Sequence, residues 1–122
     1  SMIEQKADVL MHSCDTTGLG LIEACTENNV KWIGYGADQV DLGSDLCITS
    51  CIADTGKAIE EVITKVGTDE FGTSWMPGMA DDVVFVGTFG DNVPDEVKSA
   101  VEDTCEKIKS GEIVVENKET DN

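Results

Sequence analysis

The stretch from 7 to 35 constrains the fold more than any other. It reads ADVLMH, then SCDTT, then GLGLIEACTENN, then VKWIGY. Two short, continuous apolar runs flank a segment whose apolar residues recur at helical spacing. Runs of that kind suit strands covered on both faces, and parallel neighbours need a crossover, usually a helix, between them. The expected unit is a strand over 7–12, a helix over 18–29 and a strand over 30–35. Leu19 and Ile22, with Leu21 or Cys25, supply the apolar face of the helix, and Asn28 and Asn29 stop it.

The same alternation continues along the chain. Residues 36–45 form a polar loop, and 46–52 (LCITSCI) form a third strand. Asp54 suits the N-cap of a helix over 55–66, in which Ile59, Val62, Ile63 and Val66 recur at i, i+3, i+4 and i+7. Gly67 closes it. A loop over 68–81 carries Phe71, Trp75 and Pro77, and a strand follows over 82–89. Pro94 suits the first turn of a helix reaching Lys109, with Val97, Ala100, Val101, Cys105 and Ile108 as its stripe. Ser110 and Gly111 end that helix, 112–115 is expected to be a last short strand, and 116–122 a polar tail. The whole is expected to be one three-layer α/β domain over 1–115, a mostly parallel sheet flanked by helices. Ligands in such sheets sit beyond the carboxyl ends of the strands. The loops 12–18, 34–41 and 50–54 meet there.

Charge narrows what that end can hold. Eight lysines, no arginine and 25 acidic residues give a formal charge of −17. Such a field repels nucleic acid and anionic membrane. Lack of arginine removes the usual bidentate clamp for phosphate or carboxylate, so the expected ligand is neutral or cationic. No run approaches the roughly 20 apolar residues of a membrane span. Ser1-Met2 reads as a tag remnant ahead of a native segment, which makes the chain a fragment; a complete small protein starting near Met2 is the other reading.

The five cysteines are Cys14, Cys25, Cys47, Cys51 and Cys105, with no CxxC among them. Cys47 and Cys51 share a strand face at period two, roughly 13 Å apart, too far for a bridge. All five are expected to be free and mostly buried thiols. In HSCDTTGLG (12–20) the Asp and Thr oxygens suit the free N–H groups of a helix start, which contribute about 1 kcal/mol when capped, and the same loop can meet a ligand. His12, Cys14 and Asp15 are too few and too isolated for a metal site, and no acid in sequence orients His12 as a base for Cys14. No metal, cofactor or catalytic residue is expected.

Three segments together resemble a known family. They are ADVLMHSCDTTGLGLIEACTENNVKWIGYGADQ, LCITSC and VPDEVKSAVEDTCEKIKSGEIVV. They are similar, in order and spacing over residues 5–115, to the C-terminal part of the basic membrane protein family. Its members are the purine-nucleoside-receptor-like substrate-binding lipoproteins of bacterial ABC transporters. The resemblance implies part of a type I periplasmic-binding-protein fold, in which two lobes close on a solute, and no enzymatic activity. It places Met11, Cys14, Asp15, Thr16, Asp38, Gln39 and Ser50 near the ligand. It also shows departures: Met11 stands where the family has an aromatic, Gly36 where it has an acid, and Ala53 where it has a lysine. Cys14 and Asp15 replace small residues. The implied ligand class is a purine nucleoside or a similar neutral molecule. The implied partner is a transporter permease, and the implied location is extracytoplasmic and lipid-anchored. Family chains are longer, so the helix over 55–66 is expected to belong with the other lobe and to need a new cover here, by dimerisation or a domain swap. A stand-alone homodimeric regulatory or interaction module is the alternative function.

Overall fold

A computed structural model describes residues 1–43 and 45–116. Its elements are β1 (Val9–Met11), α1 (Gly18–Asn28), β2 (Lys31–Gly36), β3 (Cys47–Ala53), α2 (Thr55–Thr64), β4 (Val84–Val86) and α3 (Asp95–Lys109). Short 3-10 turns lie at Val40–Leu42 and Met79–Asp81. The expected polar tail beyond Glu116 lies outside the described residues. The strands form one sheet in the order β1-β2-β3-β4. The first three are parallel and β4 runs antiparallel to β3. The fold class is the one the alternation of elements implies.

The core is built on one face of β2. Trp32 is fully buried there, packed with Ile22 and Cys25 of α1, Val30 and Cys47. Leu10, Leu21, Val40 and Leu46 close around it. Ile22 and Cys25 are three apart and so share a helix face. Leu19, expected on that face, is 49% exposed instead. The helix ends as its sequence requires: Asn29 takes the left-handed conformation, and the Val30 N–H bonds the Cys25 carbonyl at 2.9 Å.

A bulge in β3 decides which residues face the core. Trp32 pairs with Cys47, but Ile33 pairs with Thr49, so one residue of β3 is skipped. An extra residue shifts the alternation of a strand by one. Cys47 and Ser50 therefore stand beside Trp32 and Gly34, both fully buried. Cys51 pairs with Tyr35 and is only half-buried. Cys47 and Cys51 thus do not share a face, contrary to the period-two expectation. All five thiols are free, but only Cys25 and Cys47 are buried, and Cys14 is exposed. Burial, together with the Asp38 charge, pushes the Cys47 thiol up to about 11, and burial also raises Cys25.

The second half packs more loosely. Asp54 caps α2, accepting the Lys57 N–H at 2.9 Å. No residue of α2 or α3 is buried, and Ile59 and Ile63 are 59% and 62% exposed. Asp82 bonds Lys109 at 3.0 Å and Lys57 at 3.6 Å, tying both helices to the turn before β4. The hydrogen bond from Lys109, with the Lys109 and Lys57 charges, holds the Asp82 carboxyl below its usual range. The strand expected at 112–115 does not form. Gly111 turns the chain with φ +78°, and the Ile113 N–H bonds back to the Lys107 carbonyl at 3.0 Å. That backbone is committed to the helix end rather than to a sheet edge.

Candidate functional site

The carboxyl ends of β1, β2 and β3 converge through one hydrogen-bonded cluster. His12, the residue after β1, is 3% exposed. Its Nε2 lies 3.0 Å from Gln39 Oε1, and its Nδ1 lies 3.0 Å from the Cys14 carbonyl. Gln39 Oε1 also accepts the Tyr35 N–H at 3.2 Å, and the Gln39 N–H donates to Ser50 Oγ at 3.0 Å. Beyond the cluster, Asp38 accepts the Thr88 N–H at 2.9 Å and the Val40 N–H at 3.3 Å. Partial burial pulls the Asp38 carboxyl upward. Hydrogen bonds from the Thr88 hydroxyl and N–H, the Val40 N–H and the Ser50 hydroxyl outweigh that and hold it below the usual range.

Two glycines make this packing possible. A methyl group at Gly18 would overlap the His12 ring, with Nδ1 at 2.5 Å. One at Gly34 would come within 2.5 Å of Ser50 Oγ and 2.8 Å of Gln39 Oε1. Nothing in the local sequence pattern distinguishes these two glycines from Gly20, which faces open space.

The seven residues singled out in sequence separate into two groups. Met11, Cys14, Asp15 and Thr16 are exposed and form an open rim at the end of β1. Gln39 and Ser50 turn inward and are committed to the cluster, and Asp38 stands between, exposed but with both oxygens engaged. Sequence reasoning did not single out His12 or Thr88 as partners of Gln39 and Asp38. His12 carried a signal, as the chain's lone histidine at a strand end. Thr88 carried none, because its contact with Asp38 spans 50 positions.

Next to Asp38 a hollow of about 580 Å³ opens between the sheet and α3. Ile52, Met79, Phe85 and Val101 give it apolar walls, and Asp38, Glu102 and Glu106 give it an acidic border. A mixed cavity of that size at the strand ends can hold a small organic molecule. Among the described residues no three His, Cys, Asp or Glu side chains converge as a metal site. No described helix is long and apolar enough to cross a membrane.

Comparison with known proteins gives this end a context. The family model of PnrA-like ABC transporter substrate-binding proteins matches residues 1–119. A purine-binding protein of Brucella abortus (strain 2308) is 28% identical over 93% of the chain, and the chain covers 32% of that protein. A CD4+ T-cell-stimulating antigen of Listeria monocytogenes is 29% identical over 97% of the chain, which covers 38% of it. The chain thus spans about a third of the length of the relatives it matches. Two solved structures share the fold at 23% identity. One, described as a transcriptional activator of the comK gene from Bacillus halodurans, superposes with a TM-score of 0.82 over 94% of this chain and 41% of its own. The other, an ABC transporter solute-binding protein from Conexibacter woesei, gives 0.61 over 95% and 39%.

Proposed function

The chain belongs to the PnrA-like family of ABC transporter substrate-binding proteins, and on that premise we propose that it is part of a receptor for a purine nucleoside or a similar uncharged solute. The observation that carries the reading is the exposed rim of Met11, Cys14, Asp15 and Thr16, joined through His12 to Gln39, the neighbour of Asp38, at the strand ends where α/β sheets hold ligands. The purine-binding description of the Brucella relative supports the solute class. The absence of arginine and the charge of −17 argue against a phosphorylated ligand. Binding rather than catalysis is the role we assign, because the matching family is one of substrate-binding proteins. In the whole protein a second lobe closes over the solute by hinge motion. The complex then delivers it to a membrane permease from an extracytoplasmic, lipid-anchored position.

Because one face of the solute is left uncovered here, this chain alone is expected to bind inosine, guanosine or adenosine only weakly. Amide NMR during millimolar titrations should show shifts at residues 11, 14–16 and 38. Unperturbed amides there would remove the nucleoside reading. Micromolar binding by calorimetry would instead remove the need for a second lobe.

A homodimeric interaction module is the second reading, and the uncovered apolar stripe of α2 favours it. The fold also occurs in a protein described as a transcriptional activator. Sedimentation of the chain with Ile59→Ser and Ile63→Ser decides it: a dimer that these changes dissociate supports the module, and a monomer at all concentrations dismisses it.

A further inference from the structure

We propose that His12 is a proton-operated latch that sets the conformation of the rim loop; as a device of the solute site, it rests on the reading above. The argument starts at Nε2. Gln39 Oε1 accepts the Tyr35 N–H at 3.2 Å, and an N–H can only donate, so the Gln39 atom at that place is its oxygen. The His12 Nε2 at 3.0 Å from the same oxygen must then be the donor. Nε2 keeps its proton as long as the cluster is intact.

Nδ1 is the nitrogen left to vary, and it faces both poles of one residue. The Cys14 carbonyl oxygen lies 3.0 Å away and the Cys14 nitrogen 3.4 Å away. With a proton on Nδ1, the ring donates to the carbonyl. Without it, Nδ1 accepts the Cys14 N–H, and its lone pair opposes those of the carbonyl. One proton taken from or returned to solvent therefore exchanges one partner for the other.

The ring cannot adjust, so the loop must. The imidazole is held by Gln39 and packed on Gly18, where even a methyl group has no room. Cys14, Asp15 and Thr16 are exposed, and their recorded backbone ties run to the first turn of α1: Asp15 to Gly18 and Thr16 to Leu19. The titratable groups on the segments around the ring are Cys14 and Asp15 on its own loop, Tyr35 on β2 and Asp38 on the connector. Asp38 is engaged by the N–H groups of Val40 and Thr88. From β3, Ser50 accepts the Gln39 N–H and so bears on the ring through Gln39, and from α1 Gly18 packs against the ring. Solution pH, through the proton on Nδ1, therefore selects which pole of Cys14 the ring engages.

His12 is the chain's single histidine, so imidazole ¹⁵N NMR reads it without ambiguity. The expected result is Nε2 protonated at every pH where the chain is folded. Nδ1 should move from bare to protonated as pH falls, and the Cys14 amide signal should shift with the same midpoint. His12→Gln should abolish the pH response of the Cys14 amide. A neutral ring with its proton on Nδ1, or a Cys14 amide that ignores the titration, overturns the latch. The nucleoside titration separates the two claims. The NMR signature without any nucleoside effect sustains the latch and refutes the solute reading. Nucleoside shifts beside a silent Cys14 amide do the reverse.

Discussion

Helices α1 and α2 are of similar length, 11 and 10 residues, each follows a strand, and each carries an apolar stripe. Only α1 buries its stripe. The difference lies in the strand each helix leads to. α1 joins two parallel neighbours, and such a crossover must return across the sheet, which lays the helix on its face. α2 is followed by β4, which runs antiparallel to β3, so the chain can turn back without crossing the sheet and nothing forces the helix onto it. Burial is decided by strand direction rather than by helix amphipathicity. The stripe on α2 is, if anything, the more regular of the two.

The sharpest way to break this comparison is to truncate one residue from each half. Trp32→Ala, in the α1 core, is expected to destabilise by about 3–5 kcal/mol, as deletion of a large buried side chain does. Ile63→Ala on α2 is expected to stay within about 0.5 kcal/mol, as for an exposed site. Urea unfolding measures both, and equal costs would mean that α2 is covered in solution. Trp32→Phe should cost much less than Trp32→Ala, because the buried indole N–H has no hydrogen-bond partner among the described residues.

Glycines sharpen the comparison within the α1 half itself. Gly34→Ala drives a methyl into Ser50 and Gln39 and is expected to cost about 1–3 kcal/mol. Gly20→Ala meets open space inside α1 and is expected to stabilise by about 0.5–1 kcal/mol. Thermal melts of the pair should move in opposite directions.

In the looser half, Asp54→Ala removes the α2 cap and is expected to cost about 1 kcal/mol. Because α2 buries nothing, the loss should show as fraying. Amide exchange should rise over 55–64 and stay unchanged over α1.

The smallest effect is expected at Asp38, which links the halves through Thr88. Its carboxyl is held below the ordinary value, so its contribution is present above about pH 3.9 and is lost as pH falls through the lower folded value. Asp38→Asn should flatten the acid limb of the stability profile below about pH 4 and leave the neutral value little changed, since the group is exposed and screened by solvent. A mutant whose acid limb is as steep as the parent's would assign that limb to other carboxylates.

Much of the fold was legible along the chain because its cues are local. Asp54 caps α2 from the next residue, Asn29 stops α1, and Pro94 stands at the start of α3. The apolar runs set the order of strands and helices, and the family resemblance named the family whose model matches residues 1–119. The site was legible only as a set of positions. Gln39 and Ser50, singled out as ligand neighbours, lie instead within the hydrogen-bonded cluster, and their inward turn depends on Gly34 leaving room and on a skipped residue in β3. Neither has a signature in the strand's own sequence.

The sequence by itself determined the alternation of strand and helix, the helix caps and the acidic, arginine-free surface, since each follows from residues within a turn of one another or from composition. Tertiary structure decided the antiparallel return of β4, the bulge that sets Cys47 and Ser50 on one face, and the absence of a strand at 112–115. It also decided that His12 joins Cys14 to Gln39. These features depend on partners about 15 to 35 positions away or on whether a sheet edge is in reach, and hydrogen bonds of that range are fixed only when the sheet has assembled.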